Sequence, residues 1–334
     1  MTNESTQLAR SVLLLLDYAE RHGIDRASLM RAAGLAAVDV DDPDSRVRTA
    51  SMLKLWREVI DAQDDPVLGL HIASSISAKQ LGLVGYAMYH SNTLRGALNR
   101  LARYGRILSD AIQFEIVDTD EHSIFIWQAH PSLVALRHPV ELGVALVVSM
   151  AREITGSDLV PTNVDLPSPR PEAVGAYRSM FRCPVAFDRP LASVTFSRAQ
   201  LQLPTQEPDP TLVGYLEDLS AITLAPLEES DESMIAAVRR ALWTMLPGGR
   251  PDLWRTATSL GVSARTLQRR LGEEGSSFSR VLDELRRDLS DELLSDRKLA
   301  VAEVAFLLGY SEPSAFQRAF RRWRGVSPRR FRVA

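Results

Sequence analysis

Arg265, Gln268 and Arg269 lie within one short polar segment, and Ser314, Gln317 and Arg318 lie within another. Guanidinium and carboxamide groups can each bond two base-edge atoms at once, arginine on guanine and glutamine on adenine. Each good pair supplies roughly 1–3 kcal/mol of discrimination. Spacings of three and four put each trio on one side of a helix, at the early positions from which a recognition helix reaches base edges. Arg321, Arg322, Arg324 and Arg329 come later in the chain. Cations there are expected to hold phosphate oxygens, which fixes register without reading sequence. The partner these residues predict is double-stranded DNA.

Such side chains work only if a short helix is held out from a core, and a repeat in the sequence supplies that support twice. Ala257-Thr-Ser-Leu260-Gly261-Val262-Ser263 returns 48 positions later as Ala305-Phe-Leu-Leu308-Gly309-Tyr310-Ser311. Each copy reads as the end of one helix, a glycine where a left-handed backbone is needed, and a serine expected to cap the next helix. Leu267 and Leu271 in the first copy, and Phe316 and Phe320 in the second, recur four apart and should face inward. Two helix-turn-helix units are therefore expected, over about 252–273 and 301–323. Between them Phe278–Leu294 carries a helical apolar stripe, and a helix of that length spans about 25 Å. One chain could then visit two adjacent major-groove half-sites, which lie roughly 34 Å apart.

Charge divides along the same line. From Arg250 onward there are 17 basic residues against 11 acidic, a net of +6, whereas the whole chain carries −3 and residues 1–249 therefore −9. From Pro313 onward there are seven arginines and no acid. A basic end on an acidic body fits phosphate binding at that end.

The front two-thirds reads as α+β. Helices are expected at Leu8–Arg21, Asp25–Ala33, Thr49–Ala62, from the Thr93 cap through Leu108, and at about 139–154 and 172–181. A hairpin is expected from Ile112, Phe114 and Ile116 to Ile124 and Ile126, with strands at 164–166 and 192–196. Three prolines in 202–210 should close this domain. The division expected is 1–206 for effector binding or dimerisation, 207–232 as a linker with a short helix suited to subunit contact, and 233–334 as an all-α DNA-binding domain. Tyr86, Tyr89, Tyr104, Trp127 and His138 are the polar-tipped rings that could line an effector pocket, since such pockets are mostly apolar with a few oriented polar groups.

Other chemistry finds no support in the residues. The six histidines form neither a zinc spacing nor an H-E-x-x-H pair. Phosphate-loop and nucleophile-elbow motifs are missing too, so no catalytic residue, metal or cofactor is expected, and no enzyme. A single cysteine, Cys183, excludes an internal disulfide and suits a reducing compartment. The apolar run Val12–Leu16 is too short for a signal peptide core or a membrane span, so the expected location is cytoplasmic.

Three stretches carry a resemblance. Ser263-Ala-Arg-Thr-Leu-Gln-Arg-Arg-Leu271, Gly309-Tyr-Ser-Glu-Pro-Ser-Ala-Phe-Gln-Arg-Ala-Phe-Arg-Arg-Trp323 and Gly325-Val-Ser-Pro-Arg-Arg-Phe-Arg332 closely resemble the AraC/XylS transcription regulators. Phe331 stands where tyrosine is commoner in the closing G-x-S-P-x-x-[YF]-R signature. Leu81-Gly-Leu-Val-Gly-Tyr-Ala-Met88 and Phe181-Arg-Cys-Pro-Val-Ala-Phe187 are similar to the N-terminal domain of the branch named for arabinose binding. The resemblance implies a homodimeric regulator, an activator responding to a small effector of unknown identity and touching RNA polymerase. The alternative it leaves open is a front domain that only dimerises or binds a protein partner.

Overall fold

A computed structural model describes residues 5–36, 40–229, 233–246, 251–295 and 299–332. Residues 247–250 and the linker residues 230–232 lie outside these. The chain divides into two units: Met1–Gln128 with Leu136–Leu227, and Ala129–Ala135 with Glu228–Ala334.

In the first unit β1 (Thr6–Leu8) leads into α1 (Ala9–Arg21) and α2 (Arg26–Ala33). Then β2 (Arg46–Arg48) pairs antiparallel with β1 and opens α3 (Thr49–Gln63). Next come α4 (Leu68–Ser74), a 3-10 turn at Ala78–Leu81, α5 (Leu83–Tyr89) and α6 (Leu94–Leu108). Thr93 caps α6 by accepting the Gly96 N–H at 3.2 Å, as its position predicts. The hairpin follows as β3 (Ile112–Asp118) and β4 (His122–Ala129); α7 (Pro131–Ala135) belongs to the second unit, and the first resumes with α8 (His138–Thr155). The unit closes with β5 (Asn163–Asp165), α9 (Val174–Phe181), β6 (Val185–Ala186), β7 (Ala192–Ser197), α10 (Arg198–Leu201) and α11 (Pro210–Glu229).

Five strands form one sheet in the order β3-β4-β7-β5-β6. Antiparallel β4 and β7 set Phe125 opposite Val194 and Trp127 opposite Ala192, whereas β5 and β6 run parallel. The buried face of β4 is Ser123, Phe125, Trp127 and Ala129. That is the opposite phase from Ile124 and Ile126, the pair that marks the strand in the sequence. Both faces of β4 carry large apolar residues, so alternation locates the strand without saying which face is inward.

One buried charge organises α8. Glu141 is fully enclosed and accepts bonds from Arg137 Nε at 2.6 Å, Tyr177 OH at 2.7 Å and Ser168 Oγ at 3.3 Å. His138 Nδ1 lies 3.3 Å from its other oxygen, without hydrogen-bond alignment. Arg137 reaches this position with φ +62°, a conformation costly for a residue with a side chain. Gly69 lets α4 approach here: a Cβ on it would sit 2.5 Å from the His138 carbonyl oxygen. Burial alone would push the Glu141 carboxyl up. The close imidazole, the bonds from Arg137 and Tyr177, and the Arg137 charge outweigh burial and hold the group below the usual carboxylate range.

The second unit is helical throughout its described C-terminal part: α12 (Met234–Met245), α13 (Leu253–Ser259), α14 (Ala264–Glu273), α15 (Phe278–Ser295), α16 (Val301–Leu307), α17 (Pro313–Arg324) and α18 (Pro328–Phe331). Val281, Leu285, Leu289 and Leu293 of α15 pack in one core with Val238 and Leu242, Leu267 and Leu271, and Phe316 and Phe320.

Leaving one partner of a buried ion pair alone costs about 3–5 kcal/mol, so Glu141→Ala is expected to lose that much at neutral pH. A depressed folded-state pKa contributes stability above the unfolded carboxyl's value, about 4.3, and loses it as pH falls through the lower folded value. Urea melts from pH 7 to pH 3 should therefore show the wild-type and variant curves converging in acid. A gap that stays constant across that range would reject the account.

Candidate nucleic-acid interface

Two helix pairs carry the residues that the sequence singles out. In the first, Asp252 caps α13 by accepting the Arg255 N–H at 2.9 Å. Gly261 turns the chain at φ +65°, and Ser263 caps α14 by accepting the Thr266 N–H at 3.1 Å. These are the roles their positions predict. In the second pair Gly309 turns at φ +71°, but Ser311 is not the cap. The cap position falls on Glu312, with Pro313 as the first helical residue and no side-chain cap bond. A proline there lacks the N–H that a cap would satisfy and already has helical φ, so it sets the start of α17 one residue later. Glu312 instead accepts the Ser314 hydroxyl at 3.2 Å.

Leu267, Leu271, Phe316 and Phe320 are fully buried, as their spacing predicts. Arg265, Gln268, Arg269, Ser314, Gln317 and Arg318 are all exposed on the opposite sides. Arg269 is held by Glu273 one turn along its own helix. That is a solvent-exposed pair of the kind worth about 1 kcal/mol or less, so it releases readily. Arg265, Gln268, Gln317, Arg318, Arg321 and Arg329 make no side-chain hydrogen bond or ion pair among the described residues.

The later arginines separate into two kinds. Arg321 and Arg329 are exposed and have no partner among the described residues. Arg322 turns back to Asp283 of α15, with Nη2 2.5 Å from Oδ1. Arg324 makes a two-pronged pair with Asp291 of the same helix, with Nε 3.0 Å from Oδ1. Trp323 Nε1 donates to the second oxygen of Asp283 at 2.9 Å. From α15, Arg286 donates to the carbonyls of Leu308 and Gly309 at 2.9 and 3.0 Å and lies 4.3 Å from the Tyr310 ring centre. It thereby fixes the second turn, and burial lowers its pKa.

Sequence reasoning missed Asp283, Arg286 and Asp291. Acids and arginines on a connecting helix read as a solvated face, and no spacing rule shows which of them meets another element. Glu274 was missed for the same reason. Placed just after α14, it accepts from Ser233 Oγ at 2.6 Å and from the backbone N–H groups of Met234 and Ile235. It thus caps α12 from a distant part of the chain.

The five rings named for an effector pocket do not gather. Tyr104 and Trp127 are buried in the core of the first unit, and Trp127 closes over Gly143. Tyr89 sits under the Lys79 ammonium at 3.9 Å. Tyr86 is exposed, and His138 belongs to the Glu141 cluster. A cleft of about 420 Å³ in this unit is lined by Leu14, Asp17, Glu20, Arg21, Ser75, Ile76 and Gln80, none of them among the five. Burial pushes the Cys183 thiol up to about 11, so it stays protonated and weakly reactive at neutral pH. Among the described residues, no group of three or more His, Cys, Asp or Glu could hold a metal. No described helix is long and apolar enough to cross a membrane.

Residues 23–205 match the model of the arabinose-binding domain of AraC transcription regulators, and 256–334 match a helix-turn-helix domain. The ornithine utilization regulator of Pseudomonas aeruginosa is 29% identical over 96% of this chain and 94% of its own. The transcriptional regulator VirS of Mycobacterium tuberculosis is 26% identical over 95% of this chain and 93% of its own. The crystal structure of the transcriptional regulator CdpR from Pseudomonas aeruginosa aligns over 92% of this chain and 96% of its own, with 22% identity and a TM-score of 0.46. With the front-domain model covering more than half its length and a tandem helix-turn-helix behind it, this chain belongs to the AraC family of DNA-binding transcription regulators.

Proposed function

We propose that the chain is an effector-responsive transcription activator of the cytoplasm, which reads two adjacent major-groove half-sites and has no catalytic activity. The observation that carries the reading is the matched pair of exposed polar rows on α14 and α17. Each stands opposite a fully buried apolar row, and both rows share one core with the 18-residue helix α15. Arg265, Gln268 and Arg269 then contact bases in one groove, and Ser314, Gln317 and Arg318 in the next, while Arg321 and Arg329 hold phosphates.

Pairing of two copies has its own support. On α11, Val213, Ser220 and Leu224 are buried. Its other side shows Tyr215, Leu219 and Ile222, which are 70%, 51% and 69% exposed. A helix apolar on both sides is stable when both are covered, and spacings of four and three suit a helix–helix seam. The second cover we propose is α11 of a second copy. This feature also favours the narrower reading in which the front domain only pairs subunits. A small effector and a contact with RNA polymerase remain parts of the proposal that rest on family membership.

Three measurements test these points. On a duplex selected from a random-sequence pool by the wild-type chain, Arg318→Ala should lose about 10–100-fold in affinity and relax preference at one base pair. Arg329→Ala should weaken binding to every sequence and reduce the salt slope by about one; sequence-blind losses from both would reject the division of roles. Leu219→Asp with Ile222→Asp should shift the mass by light scattering from two copies to one with the helical spectrum unchanged, and a dimer that survives would move the seam elsewhere. A metabolite panel opening with ornithine and other amino acids, since one relative regulates ornithine utilization, should include a compound that raises the melting temperature of the full chain saturably. A flat panel on cooperatively melting, ligand-free protein would favour the pairing-only reading.

A further inference from the structure

The basic unit carries acids where DNA binding alone would disfavour them. Asp283 and Asp291, two turns apart on α15, both reach the far end of α17 and engage three consecutive residues, Arg322, Trp323 and Arg324. Two of the four arginines that the sequence assigns to phosphates are thus turned toward carboxylates of the protein itself. The guanidinium of Arg322 also lies 5.9 Å from the Trp323 ring centre. Trp323 in turn packs edge-on to Phe320, with centroids 6.5 Å apart, and Phe320 is fully buried. The contacts therefore run from carboxylate to guanidinium to indole to the apolar core. At the other end of α17, Arg286 of α15 holds the carbonyls that end α16, so α15 grips this helix-turn-helix at both ends of its recognition helix.

We infer that Arg322 and Arg324 are positioning residues: paired with Asp283 and Asp291, they fix the rotation and tilt of α17 on α15 so that Ser314, Gln317 and Arg318 meet the groove in a single register. The inference rests on the reading that α17 contacts bases, and it names what sets that helix's specificity. Exposed ion pairs add little to stability. A bidentate arginine–carboxylate pair nevertheless adds directional precision, and a displacement of about 1 Å is enough to spoil a bidentate contact with a base. The clamp therefore acts on selectivity more than on folding.

The two roles for Arg322 make opposite forecasts for its partner. Were Arg322 a phosphate ligand, removing Asp283 would free it and strengthen binding to any DNA. As a positioning residue, it needs Asp283, and removing the acid weakens binding to the correct site despite the more favourable net charge. The full chain is titrated with its selected duplex and with a scrambled duplex at several salt concentrations. For Asp283→Ala and Arg322→Ala we expect a loss of about tenfold on the selected duplex, of the order of one mismatched base pair, with no larger loss in the double variant. Binding to the scrambled duplex should stay within about twofold and the salt slope should not change. Exchanging the charges, Asp283→Arg with Arg322→Asp, should recover most of the lost selectivity, which would also show that the single variants had not simply misfolded.

The inference is overturned if Asp283→Ala binds the selected duplex as well as the wild type or better. It is equally overturned if Arg322→Ala weakens both duplexes alike and lowers the salt slope by about one, or if the exchanged pair, cooperatively folded, recovers nothing. Failure of the underlying reading looks different: Arg318→Ala would then retain full selectivity whatever the clamp variants do.

Discussion

One apolar core shared by α12, α14, α15 and α17 is what both reading elements depend on, because two short helices joined by a turn bury too little apolar area to offset the entropy of ordering them. Val281, Leu285, Leu289 and Leu293 share one core with Leu267 and Leu271 from one helix pair, Phe316 and Phe320 from the other, and Val238 and Leu242 of α12. Neither pair has a core of its own. Sharing one makes the two recognition helices parts of a single solid, and the outward polar rows inherit whatever geometry that core imposes.

Apolar packing sets distance well and rotation poorly, since a leucine stripe tolerates small rolls of one helix on another. Directional bonds around the core restrict those rolls. Arg286 holds the second turn by its carbonyls, Asp283 and Asp291 hold the end of α17, and Asp288 pairs with Arg239 of α12 at 2.9 Å. Glu274 joins the end of the first reading element to the first turn of α12. Glu274, Asp283, Asp288 and Asp291 of this basic unit thus fasten helices together.

The first unit uses polar groups differently. Glu141 with its partners lies in the interior beside the backbone of α4, where an unpaired carboxylate would be far too costly. The strained Arg137 backbone persists there because the surrounding bonds over-determine it. At the surface, α11 shows the reverse imbalance: apolar side chains stand in water on a helix whose other side is already buried. The proposed pairing with a second copy would cover these three side chains.

Local features were legible from the residues. Gly261 and Gly309 mark both turns, Ser263 and Thr93 mark two caps, and residues four apart mark the inward rows of α14 and α17. Each depends on neighbours within a few positions, so spacing carries it. The Ser311 cap failed because Pro313, two residues on, sets the helix start, a local competition in which the proline's fixed φ wins. What tertiary structure alone decided is partnership over distance. Arg321 and Arg322 are adjacent arginines in one helix, yet the first has no partner among the described residues and the second meets a carboxylate 39 positions earlier. Likewise the burial of Phe125 in place of Ile124 was set by which face of the sheet the helices cover. Sequence determined which segments become helices, strands and turns, and the kind of ligand their charges suit. Side-chain partners were decided by packing, because contact depends on the direction each residue faces once distant segments are brought together.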